Sequence, residues 1–491
     1  MAEEREHAPY APALVESMRA VGYSLEAAVA DLIDNSISAR ARNIRVRFSP
    51  YGVPYVAIID DGRGMTSDGL VAAMRHGSRS PNDERALTDL GRFGLGMKTA
   101  SLAHCRKLTV ATFAEGVLSA ASWDLDVIAR TEKWTLLILD RGEAESLPHI
   151  EEIVSQGQGT IVYWHNIDRL GIGEGTIDDG MRVGMVRVRE HLSLVFHRYL
   201  QPDEPSFKRV AISLNEDPLD ARDPFLSEHV ATHKLPSETV RIEGATVTVQ
   251  PYILPHFSKL TPSELELAGG EEGLRRQQGF YVYRSRRLIV WGSWFRLAGH
   301  EELTKLARVR VDIPNSLDPL WTLDIKKSVA SPPAVVAQNL RRIITRIAQG
   351  SRRVYTYRGR KANDDSFVHV WDRVEQRDGI EYRVNRQHPM ITAVMNALDG
   401  SDIPLFESLL RTLESLLPAE ALYADMASNP RAVIREATAP EEELFDLAGR
   451  LKDACRDDEQ RARLIQSLAI LEPFVHYPEV TRSIIARMQH G

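Results

Sequence analysis

Four short segments, fixed in order and each on its own kind of element, restrict this chain more than any overall property does. The first lies on a helix predicted over Leu25–Ala41, with Ser24 as N-cap and Leu25, Ala28, Val29, Leu32, Ile33 and Ile37 at helical spacing. Asp31, Asn35 and Ser38 fall at i, i+4 and i+7 and share a different face of it. The second segment, Asp60-Asp-Gly62-Arg-Gly64, closes the second of two strands predicted at Ile44–Phe48 and Tyr55–Ile59. The third, Gly91-Arg-Phe93-Gly94-Leu95-Gly96, opens a short helix reaching about Ala103, after a predicted helix at Ser67–Arg75 and a loop at Gly77–Leu90. The fourth, Gly159-Thr160, sits in or at the start of a strand, in text that reads as alternating strands from Leu108 to Val162.

Each segment alone has an ordinary explanation as a turn or a cap. In this order, on these elements, they resemble the signature of the gyrase, heat-shock-chaperone, histidine-kinase and MutL (GHKL) ATPases. The resemblance is nearest to prokaryotic MORC-like and MutL-like ATPases of defence systems and covers roughly residues 13–350. It implies an α/β (α+β sandwich) fold: a Bergerat-type ATP-binding domain at 1–185, a ribosomal-protein-like transducer at 186–350, and a mostly helical region of unknown role at 351–491.

The chemistry expected of each segment follows. A buried acceptor at the end of a strand, Asp60, suits an adenine amine, and Gly62 and Gly64, with Met65 beside them, let backbone approach the base. Thr160 offers a hydroxyl on the same side. Gly91, Phe93, Gly94, Leu95 and Gly96 bring backbone N–H groups and a helix start to phosphates. Asn35, next to Asp34, supplies a neutral oxygen for Mg2+, which prefers oxygen ligands and bridges phosphates. Asp31, one turn earlier, is the expected general base or water-orienting group. The resemblance departs here. The family's first Glu is Asp31, one methylene shorter, and its later Asp is Ser38. Phe93-Gly94-Leu95-Gly96-Met97-Lys98-Thr99 resembles the MORC-type variant and implies that Lys98 meets phosphate. Trp321-Thr-Leu-Asp-Ile-Lys326-Lys327-Ser resembles the transducer's switch loop, leaving open which of Lys326 and Lys327 reaches the γ-phosphate.

Composition narrows the alternatives. At 491 residues the chain is long enough for two or three domains, and 43% hydrophobic with 26% charged residues suits a globular protein. No run of about 18 apolar residues or signal-peptide layout is present, so a cytoplasmic protein without membrane contact is expected. Cys105 and Cys455 alone make neither a zinc site nor a disulfide framework. Between Arg275 and Lys361 stand 19 Lys and Arg against five acids, a local +14 on a chain of net −7. Such a stretch can face nucleic acid, or pair with acids of its own fold or of a partner.

The leading expectation is an ATPase that binds Mg-ATP, closes the Gly77–Leu90 lid, dimerises through its N-terminal region and clamps duplex DNA, through backbone contacts, or other defence proteins. The alternative is a chaperone-like scaffold acting on protein clients with slow or no hydrolysis. The second domain is expected to carry strands at Val210–Leu214, Thr239–Ile253, Gly279–Tyr283 and Arg287–Trp291, reached through a helix at Arg187–Tyr199. Asn385-Arg-Gln-His388-Pro, His369 and the helices near Glu407–Leu417 and Glu441–Cys455 suggest structure or partner contacts rather than chemistry.

Overall fold

The computed structural model describes residues 9–20, 22–76, 96–170, 175–256, 259–301, 304–318, 321, 332–333, 336–344, 368–376, 379–419, 422, 441–455 and 457–490. The chain divides into two compact units, Met1–Tyr355 and Thr356–Gly491.

The first unit opens with α1 (Ala11–Arg19), α2 (Leu25–Ser38), β1 (Asn43–Ser49), β2 (Tyr55–Asp60) and α3 (Ser67–Met74). Next come α4 (Gly96–Leu102), β3 (Cys105–Ala114), β4 (Val117–Asp124), α5 (Leu125–Thr131), β5 (Leu137–Ile138), α6 (Arg141–Glu145), α7 (Ile150–Gln156) and β6 (Gly159–Ile167). After them follow α8 (Ile177–Val195), α9 (His197–Leu200), β7 (Ala211–Leu214) and β8 (Asp217–Pro218). The strands form one eight-stranded sheet in the order β5-β4-β3-β6-β2-β1-β7-β8.

Strand period two divides this sheet into two faces. Ile44, Val46, Val56, Ile58, Leu108, Val110, Val162 and Trp164 pack under the helices that include α2 and α8. Ala57, Ile59, Ala111, Ile161 and Tyr163 turn the other way, onto Ile150 and Ile153 of α7 and Ala144 of α6. Helix α2 forms because Ser24 Oγ accepts from Ala27 N and its buried stripe, Leu25, Ala28, Val29, Leu32 and Ile33, meets that core.

Three expectations change here. The text between Leu108 and Val162 is not all strand. Asp124 accepts from the amides of Asp126 and Val127 and starts α5, and Asp140 with Glu143 makes a capping box that starts α6. The segment at Val210–Leu214 does not belong to the second sheet. Residues 211–214 run parallel to β1, Asn43 opposite Ala211 through Val46 opposite Leu214, and extend the first sheet. The helix expected at Arg187–Tyr199 begins at Ile177 and runs unbroken across position 185 to Val195.

The second sheet of this unit comprises β9 (His233–Lys234), β10 (Glu238–Ile242), β11 (Ala245–Ile253), β12 (Gly279–Arg284), β13 (Arg287–Ser293) and β14 (Ala307–Ile313), with α10 (Pro262–Leu267) and α11 (Gly270–Arg276) between β11 and β12. Its order is β10-β11-β14-β12-β13, with β9 paired to β11. It has its own core, built on Val247, Val249, Phe280, Val282, Val309, Val311, Trp294 and Trp321, and joined by Val336, Leu340 and Ile343 of a helical stretch at 336–344. Residues 239–253 form a hairpin rather than one strand, because Glu243 and Gly244 both adopt positive φ (47° and 79°) as a two-residue turn requires.

The second unit pairs β15 (Trp371–Gln376) with β16 (Gly379–Val384). Helices at Glu441–Asp453, Asp458–Ser467 and Pro478–His490 contribute Leu444, Ala448, Leu451, Leu464 and Ile484 to a separate small core. The Asn385–Pro389 motif is structural in its contacts. Asn385 Nδ2 donates to His369 O at 3.0 Å, and buried His388 caps the helix Pro389–Ala397 by accepting from Met390 N. His369 Nδ1 faces Glu472 Oε1 at 3.1 Å.

Gly159 shows how tightly the first sheet is built. Its φ is 146°, and a Cβ there would stand 2.4 Å from the carbonyl oxygen of Asp60 and 2.9 Å from Ile153 Cγ2. Gly159→Ala is expected to destabilise the first unit by at least about 2 kcal/mol, from backbone strain plus the clash. Denaturant unfolding compared with wild type checks this; an unchanged midpoint contradicts it.

Candidate functional site

The register of the first sheet brings distant polar residues into one row. Asp60 of β2 lies opposite Thr160 of β6, and Thr160 opposite Thr112 of β3. Antiparallel partners point to the same face, so the three side chains stand side by side. They interrupt the apolar face that α2 covers. Asp60 is 4% exposed and accepts from Ser36 Oγ at 2.8 Å and from Gly62 N at 2.9 Å. Burial pushes its pKa up to about 6, against the lowering by these donors. Thr112 Oγ1 donates to Gly159 O at 3.0 Å, accepts from Met65 N at 2.8 Å, and lies 3.5 Å from Thr160 Oγ1.

The glycines of this region are there for space. A Cβ on Gly62 would stand 2.8 Å from Asp60 Oδ1 and 2.9 Å from Ala39 Cβ. Gly64 has φ 65°, and a Cβ there would stand 2.4 Å from Phe113 O.

Helix α2 supplies the other wall. Asp31 is buried and accepts from Tyr23 Oη at 3.1 Å. Asn35, one turn later, is exposed. A Cβ on Gly96, at the start of α4, would come within 3.3 Å of Asp31 Oδ2, so the missing side chain keeps α4 close to that carboxylate with room beside it. These groups suit a magnesium phosphate: an open amide oxygen, a held carboxylate and a glycine-lined helix start. Asp34 points elsewhere. It is 1% exposed and pairs with Arg287 Nε of β13 at 3.1 Å.

Met97 is partly buried against the core, and Thr99 is buried. Lys98 is also buried, and its Nζ donates to Ala73 O near the end of α3 at 2.8 Å. Burial brings its pKa down to about 8. Gly91, Phe93, Gly94, Leu95, the Gly77–Leu90 loop, Lys326 and Lys327 lie outside the described residues.

Three participants escaped sequence reasoning. Ser36 stood inside the first motif, yet its bond to Asp60 needs the packing of α2 on β2. Thr112 becomes visible only through strand register. Tyr23 has no sequence signal beyond its place before the cap Ser24.

Of the readings left open for the basic stretch, five of its arginines take the internal one. Arg284 Nε contacts both oxygens of Asp318 at 2.8 and 2.9 Å, and Arg287 pairs with Asp34. Arg286 pairs with Asp203 and Glu204, each at 3.1 Å, and Arg310 with Asp203 at 3.1 Å and Asp312 at 3.0 Å. Arg308 is fully buried and donates to the carbonyls of Leu274, Lys305 and Ala307. Arg275, Arg276 and Arg296 are exposed. Four of these arginines thus pair with acids of the same unit, and the fifth is held by carbonyls.

A strand-end carboxylate, a glycine turn and the helix carrying Asp31 and Asn35 lie against one another in the first unit. Residues 23–160 match the family of histidine kinase-, DNA gyrase B- and HSP90-like ATPases. The chain therefore carries a GHKL-type ATPase domain of α+β Bergerat fold. Within that superfamily it is similar to the MutL group. The DNA mismatch repair protein MutL of Thermoanaerobacter sp. (strain X514) is 37% identical over 92 residues, 18% of this chain and 15% of that protein. MutL of Thermodesulfovibrio yellowstonii is 36% identical over 86 residues, 17% of this chain and 16% of that protein. The mismatch repair protein PMS1 of Arabidopsis thaliana is 31% identical over 115 residues, 23% of this chain and 12% of that protein. The matches thus span less than a fifth of these relatives' length. Among the described residues, no helix is long and apolar enough to cross a membrane.

The raised pKa of Asp60 gives a signed prediction. Because the folded value, about 6, exceeds the ordinary 3.8, its contribution to stability is fully present below about pH 4 and is lost as pH rises through 6. Asp60→Asn removes that titration while leaving an acceptor for Gly62 N. The variant is expected to gain on wild type by about 3 kcal/mol between pH 4 and 7. Urea midpoints of both proteins across that range check it; parallel pH profiles contradict it.

Proposed function

We propose that this chain is an ATP-dependent conformational ATPase that binds Mg-ATP between α2 and the Asp60–Thr160–Thr112 row. The observation that carries this reading is the spread of Asp31, Asn35 and Ser36 on one helix against a buried strand-end carboxylate. Asp60 would accept the adenine amine, with Gly62, Gly64, Met65 and Thr160 beside the base. Magnesium, when bound, neutralises phosphate charge. Asn35 would lend it one oxygen, and Asp31, held by Tyr23, would orient water or take its proton. Gly91–Gly96 and Thr99 would surround the phosphates. Lys98 would reach them only by leaving Ala73 O, and Lys326 or Lys327 would sense the γ-phosphate. In this reading residues 1–185 bind nucleotide, 186–350 transmit its state and 351–491 engage partners. ATP would close a homodimer around DNA or a partner protein, in the cytoplasm and in anti-phage defence.

A second reading, an assembly factor acting on protein clients, is favoured by one observation: Arg284, Arg286, Arg287, Arg308 and Arg310 are engaged within the unit and do not offer a phosphate-binding face. Salt titrations of duplex binding with a non-hydrolysable ATP analogue separate the two. Salt-sensitive binding favours the DNA clamp, and no binding in any nucleotide state favours protein clients.

Asp31→Ala is expected to keep Mg-ATP affinity and lower turnover by at least about a hundredfold. Asn35→Ala is expected to weaken binding about tenfold in magnesium and little in its absence. Calorimetry and phosphate release measure both; wild-type binding in Asn35→Ala together with wild-type turnover in Asp31→Ala removes the assignment.

A further inference from the structure

Helix α2 also carries a contact that the pocket does not use. Asp34 turns away from Asn35 and meets Arg287, the first residue of β13, with side chains only 2% and 7% exposed. The same guanidinium lies over the Phe196 ring, 4.6 Å from its centre, and donates to the carbonyl of Leu288. Burial, with Arg287 adding to it and Asp34 opposing, pushes the pKa of His191 of α8 down to about 3, so it is neutral near pH 7. The hairpin that presents Arg287 is also fastened to α9. His197 Nε2 and Tyr283 Oη stand 2.7 Å apart, and Tyr199 Oη donates to Ser285 O. Its turn, Ser285-Arg286, has φ 47° and 71°, and Arg286 leaves it toward Asp203 and Glu204.

We propose that the buried Asp34–Arg287 ion pair is a positioning contact that couples the nucleotide pocket to the β12–β13 hairpin of the second sheet. This rests on the reading that the pocket binds Mg-ATP. The argument is geometric. Asp34 and Asn35 are successive residues of one helix, about 100° apart around its axis, and a packed helix moves as a rod. A rotation of α2 that adjusts Asn35 to a phosphate-bound magnesium ion, or Ser36 to Asp60, also moves Asp34 against Arg287. A buried carboxylate is not parted cheaply from its cation, so the hairpin follows or resists. The coupling is reciprocal: whatever displaces the hairpin alters nucleotide affinity. Arg287 acts through Asp34, and nothing here places it on the nucleotide.

Hydrogen exchange of the full chain, with and without a magnesium-loaded non-hydrolysable ATP analogue, tests this in wild type, Arg287→Lys and Arg287→Gln. In wild type the analogue is expected to slow exchange both at 25–38 and at 281–290. In the variants the slowing at 25–38 persists while that at 281–290 falls about fivefold or more. Arg287→Lys keeps the charge but loses the fork, and so serves if Arg287→Gln does not fold. The proposal is overturned if wild type responds at 25–38 alone. It is also overturned if the variants keep the hairpin response, or lose hairpin protection equally with and without analogue, as a purely structural role requires. No heat of binding and no response in either segment would remove the nucleotide reading itself, and this inference with it.

Discussion

Three consecutive residues of α2 point in three directions, and much of the first unit is arranged around that fact. Successive helical side chains are about 100° apart, so Asp34, Asn35 and Ser36 cannot share surroundings. Ser36 reaches down to Asp60 at 2.8 Å, Asn35 is exposed, and Asp34 meets Arg287. The apolar stripe of Leu25, Val29, Leu32 and Ile33 sets the helix's rotation by burial, and the three polar side chains inherit their directions from it. A helix rolled by one residue would bury Asn35 and strand Asp60 without Ser36.

The sheet beneath α2 carries an electrostatic cost in the same place. Burial raises the pKa of a carboxylate with 4% exposure and, among the described residues, no cation beside it to about 6, against donors that include Ser36, Gly62 and the Thr160 backbone. Buried acceptors of this kind are rarely placed for stability alone. An amine donor arriving from a ligand would favour the charged form further, and therein lies the physical case for Asp60 as a recognition residue. Thr112 plays the quieter part. By joining Met65 N to Gly159 O it ties the glycine turn to the strand that carries Thr160.

Charge in the second sheet follows another logic. Asp203, Asp312 and Glu204 collect Arg198, Arg286 and Arg310 into a network in which guanidinium and carboxylate numbers match. Such networks hold a hairpin and a helix end in fixed relation. They leave correspondingly little free charge for a distant polyanion, so the sign of a sequence segment says little about the field it projects.

The sequence by itself determined the local elements and the ordered motifs: α2 from its cap and stripe, the Asp60 strand and glycine turn, and hence the superfamily. Through the resemblance carried by their order and elements, it also marked Asp31, Asn35 and Asp60 as candidates for one site. Only the tertiary structure decided what depends on long-range pairing. Register across β2, β6 and β3 aligned Asp60 with Thr160 and Thr112. Parallel pairing with β1 drew Ala211–Leu214 into the first sheet. Packing of the β12–β13 hairpin turned Arg287 from an apparent surface cation into the buried partner of a residue 253 positions away. Such contacts are chosen by burial and charge compensation among segments distant in the chain, and no local pattern encodes them.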